Sequence, residues 1–183
     1  FIESLLPEWT SANNFVYHLH WHKALLHIGL GNLDQALNVY DETLVEPLAD
    51  DFYLDVCNAT SLLWRLEMSG VKVGDRWAPL HELSKNRVQD NELVFTSLHY
   101  LITPAILGDA KTVKAGLDHF HHWSNAKTSQ GTVAKIVGET MAKAVAKLAS
   151  EQKHEGVTLM QSVQNQIYRI GGSHAQRHLF DQL

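Results

Sequence analysis

At 183 residues, 45% apolar and 19% charged, the chain is long enough to bury a substantial core and has a globular composition. Its formal net charge of -5 leaves no basic footprint, which argues against nucleic acid or an anionic membrane as partner. A single cysteine, Cys57, excludes an intrachain disulfide and a multi-cysteine zinc site, and no run approaches the roughly 18 to 20 apolar residues that span a bilayer.

Taken in chain order, the apolar spacing predicts helix after helix. The first runs from Ser11 to Ile28, with Ser11, Asn13 and Asn14 available as N-caps, and is broken at Gly29 to Gly31. The second starts near Asn32, carries Leu33, Ala36, Leu37, Tyr40 and Leu44 on one face, and ends before Pro47. The third covers Asp51 to Met68 and stops at Gly70; a shorter one begins near Asp75 and reaches Arg87. Asp90 is expected to cap the next, which passes Phe95, Leu98 and Leu101 toward Leu107 with a kink at Pro104. Gly108-Asp109 turns into a helix from Ala110 to Trp123, followed by a polar loop over Ser124 to Gly131. Thr132 to Ala149 and Lys153 to Ile170 form two more, Gly171-Gly172 ends the latter, and Ser173 caps a last one. No stretch alternates with a period of two, so strand is not expected.

The predicted fold is all-α, an irregular tetratricopeptide-like α-solenoid of about four antiparallel helix pairs, forming one helical-repeat domain over residues 1–183. Gly31, Ala36 and Tyr40 have the small–small–aromatic spacing of a tetratricopeptide second helix. Gly108, Val113 and Leu117 echo it, and Gly156 with Met160 more loosely, at offsets that are not a regular 34 residues. The sequence begins at Phe1 and stops at Leu183 inside a predicted helix, with no signal-peptide pattern, and we expect it to be a fragment of a longer protein. A cytoplasmic location is compatible with its cysteine usage.

The first helix carries His18, His20, His22 and His27. At 100° per residue, His18 and His22 fall inside a wide apolar arc and His20 and His27 on the polar side with Lys23. Two histidines four apart can share an ion or act as neutral bases, but the pair lacks the intervening Glu of the zinc-protease motif; the other reading is a pair of core histidines satisfied by neighbouring helices. His119, His121 and His122 before Trp123 read as a frayed helix end. No metal site and no cofactor is assigned.

The segments His18-x-x-Trp21-His22-x-Ala24-Leu25, Ala36-Leu37-x-x-Tyr40-Asp41, Leu54-Asp55-Val56, Leu63-Trp64-Arg65-Leu66-x-Met68-x-Gly70-Val71-x-Val73-Gly74-x-Arg76-Trp77 and Gly171-Gly172-Ser173-His174-Ala175-Gln176-Arg177 resemble the tetratricopeptide repeat protein 38 family. The resemblance extends from about Asn14 to the chain end and corresponds to the C-terminal part of that longer family. It implies an α-solenoid and no established enzymatic activity.

Among the polar residues of these segments, Asp55 is expected either to accept from a histidine ring or to complement the dipole at a helix start. Arg65 and Arg76 would read an anion bidentately or tie helices together through salt bridges. Trp64 and Trp77 are packing residues, and His99 is a candidate for the same interior cluster. The ligand-binding set is therefore His18, His22, Asp55, Arg65 and His99, on a scaffold that takes a protein, peptide or small ligand in a concave groove. The alternative is a metal-dependent or acid–base enzyme built on His18, His22 and Asp55. Against it stands the lack of a nucleophile motif, a phosphate-binding glycine loop or a cysteine site. A third reading has the chain packing on the rest of its own N-terminal half or on a second copy, which an exposed apolar face on the first helix would favour.

Overall fold

The computed structural model describes residues 13–182, together with residues 4, 8 and 9. The described residues are helical and turn, with no strand among them. They divide into two compact units, Phe1–Pro79 and Leu80–Leu183.

In the first unit, α1 spans Phe15–Gly29. Of the three expected caps, Asn14 holds the N-cap position without a side-chain bond, Asn13 one residue before it accepts from the Phe15 amide at 3.0 Å, and Ser11 lies outside the described residues. Gly31, at φ +76°, supplies the left-handed turn into α2, Leu33–Val39, which runs on as a π-helical turn over Tyr40–Leu44. Ala36 is fully buried, and Tyr40, 1% exposed, donates its hydroxyl to the Arg76 carbonyl at 2.8 Å.

A 3-10 turn, Glu46–Asp50, carries Pro47 in its first turn and leads into α3, Tyr53–Met68. The chain then passes through Gly74–Arg76 to α4, Trp77–Arg87. Trp77 donates its indole N–H to Glu67 at 3.1 Å, and Arg76 grips Asp41 with two bonds of 2.7 Å. Arg76 is thus one half of a partly exposed ion pair, the second of its two expected roles.

In the second unit, α5 is Val94–Ile106, α6 Ala110–Trp123, and α7 Ser129–Val133. The last continues through a π-helical turn, Ala134–Gly138, into α8, Glu139–Leu148. Then come α9, Lys153–Val163, a 3-10 stretch Gln164–Ile170, and α10, His174–Asp181. Leu98, Leu101, Phe120, Met141, Val145 and Phe180 form its core.

Asp90 does not cap α5, as the sequence suggested. Its carboxylate goes to Arg87, and the first amide of the helix, that of Val94, is taken instead by Gln130 at 2.9 Å. Ser173 caps the last helix as expected, with Gln176 completing a reciprocal capping box, and Asp109, expected only as a turn residue, caps α6 by accepting from the Thr112 amide. Gly156 is a packing glycine, since a Cβ there would fall 2.7 Å from Leu148 Cγ.

Candidate functional site

The site is built on α1 and α3 of the first unit. On α1, helical spacing puts His18, Trp21 and Leu25 on one side, and on α3 it does the same for Asn58, Ser61 and Arg65. The two sides meet. His18 Nδ1 donates to Asn58 Oδ1 at 2.9 Å, and Trp21 Nε1 donates to Ser61 Oγ at 2.9 Å. Both bonds join residues 40 apart, so the helices run in the same direction in a fixed register, with α2 returning between them.

Ser61 passes the chain on, donating to the Asn58 carbonyl at 3.3 Å, while its own carbonyl accepts from Arg65 at 3.2 Å. The Arg65 guanidinium lies 5.7 Å from the Trp21 ring centroid. Burial brings its pKa down to about 10, so it stays charged at neutral pH.

The histidines gather around Trp21. His18, 7% exposed, stacks on the indole at 5.1 Å, and His22 meets the His18 ring edge-on at 4.7 Å. His22 is only half-buried, less than its place in the apolar arc suggested. Loss of hydration, with the neighbouring His18, lowers its pKa and favours the neutral ring.

His20 and His27, expected in solvent, are half-buried too. His20 sits against Trp9, with ring centroids 5.1 Å apart, and desolvation followed by Lys23 lowers its pKa. On α6, His119 packs on Trp123 and His121 bonds Glu139 at 3.1 Å, which makes them structural contacts of that helix end.

Every residue of α3 from Asp55 to Leu66 is buried, an unusual load of polar groups for one helix. Ser61 and Arg65 find partners, whereas Thr60 Oγ1 and Trp64 Nε1 do not, and neither does Asp55. It stands in the first turn, 1% exposed, and neither carboxylate oxygen has a hydrogen-bond partner. Of the two roles expected for Asp55, the bond from a histidine is not formed, since His18 turns its Nδ1 to Asn58, while its place in the first turn of α3 is that of a dipole-complementing carboxylate. Asn58 Nδ2 is also left without an acceptor. Burial first, and the Asp50 carboxylate second, push the Asp55 pKa up from 3.8 to about 6.

Of the five sequence-selected residues, His18, His22 and Arg65 come together around Trp21, and Asp55 shares α3 with Arg65. His99 lies in the second unit, where it donates Nδ1–H to the Phe95 carbonyl at 2.8 Å and meets the edge of Phe180 at 5.4 Å. Among the described residues no three His, Cys, Asp or Glu side chains are grouped so as to hold a metal ion. The His18, His22 and Asp55 set of the enzymatic reading is therefore not a three-ligand centre.

Sequence reasoning missed Asn58 and Ser61, although the spacing Asp55, Asn58, Ser61, Arg65 marks one polar stripe on an otherwise apolar helix. The sequence-conspicuous Gly171 to Arg177 block serves the chain end, with Arg177 donating to the carbonyls of Gly171 and Gly172.

Cys57 is fully buried and its thiol is held protonated by that burial, which removes it as a nucleophile. No helix among the described residues is long and apolar enough to cross a membrane. Compared with known proteins, the chain matches no family model and no solved structure.

Proposed function

We propose that the protein is a helical-repeat binding scaffold that takes a peptide or protein segment along α1 and α3. The observation that carries this reading is Asp55, a carboxylate removed from water with both oxygens unpartnered. Its place in the first turn of α3 complements the helix dipole, but a buried carboxylate with no hydrogen-bond partner still costs free energy that an apolar residue of the same size would not. A ligand that donates to it offsets that cost.

Two further features support a macromolecular ligand. Phe15 and Leu26 of α1, with Leu30 at its C-cap, are 51%, 53% and 74% exposed, an apolar face that suits a macromolecular contact and equally the reading in which α1 packs on the rest of its own chain or on a second copy. The parallel register of α1 and α3 around α2 is what successive first helices of a tetratricopeptide-like solenoid would show, in keeping with the resemblance to the protein 38 family. In that arrangement the first helices line the concave groove.

The test is photo-cross-linking in native lysate with a probe residue at position 26, comparing wild type with His22→Ala and with the control Asp41→Asn. We expect cross-links mapping to α1 and α3 that His22→Ala removes and the control keeps. Identical cross-links in all three proteins would overturn the reading.

A further inference from the structure

Resting on that binding role, we propose that the first turn of α3 receives the amino end of a peptide: a free α-ammonium at Asp55, with the adjacent carbonyl at Asn58 Nδ2. The inference comes from what the turn lacks. Asp55 offers two unpartnered acceptors and Asn58 one unpartnered donor, both in residues 1% exposed. They sit three residues apart on one side of the helix, about 4.5 Å along its axis. A ligand that satisfies both must carry donors and an acceptor close together.

The chemistry narrows the class. An α-ammonium brings three donors, and the carbonyl of the same residue follows two bonds later. A lysine side chain brings the donors alone and leaves Asn58 unpaired. A carboxylate or phosphate would be repelled by Asp55 and by the nearby Asp50. A chelated metal ion would need ligands that are not grouped here among the described residues.

The surroundings suit a peptide end. Carried back one turn from the His18–Asn58 and Trp21–Ser61 pairs, the register sets Phe15 level with Asp55. Phe15 is half-exposed and its ring lies 5.2 Å from that of His18, which gives the first side chain of the peptide an apolar wall. Phe52 and Tyr53, 37% and 38% exposed, stand at the start of the same turn. For a ligand to reach a carboxylate that is 1% exposed, side chains at this turn must move.

The test titrates the full chain with phenylalanyl-glycinamide, followed by NMR, and repeats it with the N-acetylated peptide and with N-acetyl-lysinamide. Saturable binding of the free dipeptide is expected, at least tenfold weaker for both acetylated compounds. With Asp55→Asn, binding of the free dipeptide falls at least tenfold, and with Asp41→Asn it is unchanged. Absence of saturable binding by the free dipeptide would overturn the proposal, as would equal binding of either acetylated compound. Undiminished binding by Asp55→Asn would do the same. The acetylated comparisons use the unaltered protein, so they decide the matter even where a variant folds poorly. Failure here leaves cross-links on α1 and α3 standing, whereas loss of those cross-links would remove the scaffold reading itself.

Discussion

The indole nitrogen of Trp21 donates to Ser61 Oγ at 2.9 Å, three residues along both helices from the bond between His18 and Asn58. Those two bonds set the register of α1 on α3, and everything proposed for the first unit depends on it. Ser61→Ala leaves the Trp21 N–H buried without an acceptor, which costs about 1–3 kcal/mol. Trp21→Phe in the same background removes the orphaned donor, so the double variant should lose less than the sum of the singles. Urea unfolding of the four proteins checks this; additive losses would mean that the bond does not form.

Asn58→Ala removes the acceptor of His18 Nδ1–H in a similarly dry place. The expected loss is again about 1–3 kcal/mol. The ring should also become mobile, which a 15N spectrum of the histidine side chains reads as loss of a fixed Nδ1–H tautomer. An unchanged tautomer in Asn58→Ala would contradict the assigned partner.

At the other end of the unit, Tyr40 and Asp41 hold the Gly74–Arg76 turn by different means. Tyr40→Phe deletes a bond from a buried hydroxyl to the Arg76 carbonyl and should cost about 1 kcal/mol, independent of salt. Asp41→Asn weakens an ion pair that is about a third exposed and should cost roughly 0.2–1 kcal/mol, shrinking as salt rises. Denaturant melts at low and high ionic strength separate the two. A salt-dependent loss in Tyr40→Phe would contradict the division of roles.

Much of the helical order was legible because its signals are local. Gly31, Asp109, Ser173 and the apolar spacing of α6 each act within one or two turns, and the observed boundaries follow them. The cap on α5 was not legible, since Gln130 reaches the Val94 amide from 36 residues away and Asp90, the nearer candidate, is taken by Arg87. The histidines show the same division. Helical projection placed His18 in the interior, where it is 7% exposed, but the side chain that would satisfy it belongs to another helix. Asp55 was the obvious acceptor by charge, and Asn58 took the bond because the 40-residue register puts it, and not Asp55, opposite the ring. His99 entered the candidate set as a polar group on an apolar helix, and its contacts with Phe95 and Phe180 are those of a core residue.

The central claim is that Asp55 is kept ionisable, buried and unpartnered. The folded state holds its proton up to about pH 6, whereas the unfolded chain releases it near 3.8. Across that window the folded state binds more protons, so the carboxylate's contribution to stability is greatest below about pH 4 and is lost as pH rises through 6. Asp55→Asn cannot ionise. The most direct measurement is therefore the unfolding free energy of wild type and Asp55→Asn between pH 4 and pH 7.5, without ligand. The variant should be more stable by about 1–3 kcal/mol at pH 7, with the gap closing toward pH 4. A variant less stable than wild type at pH 7 would show that the carboxylate is paired in the folded protein, and would contradict the account.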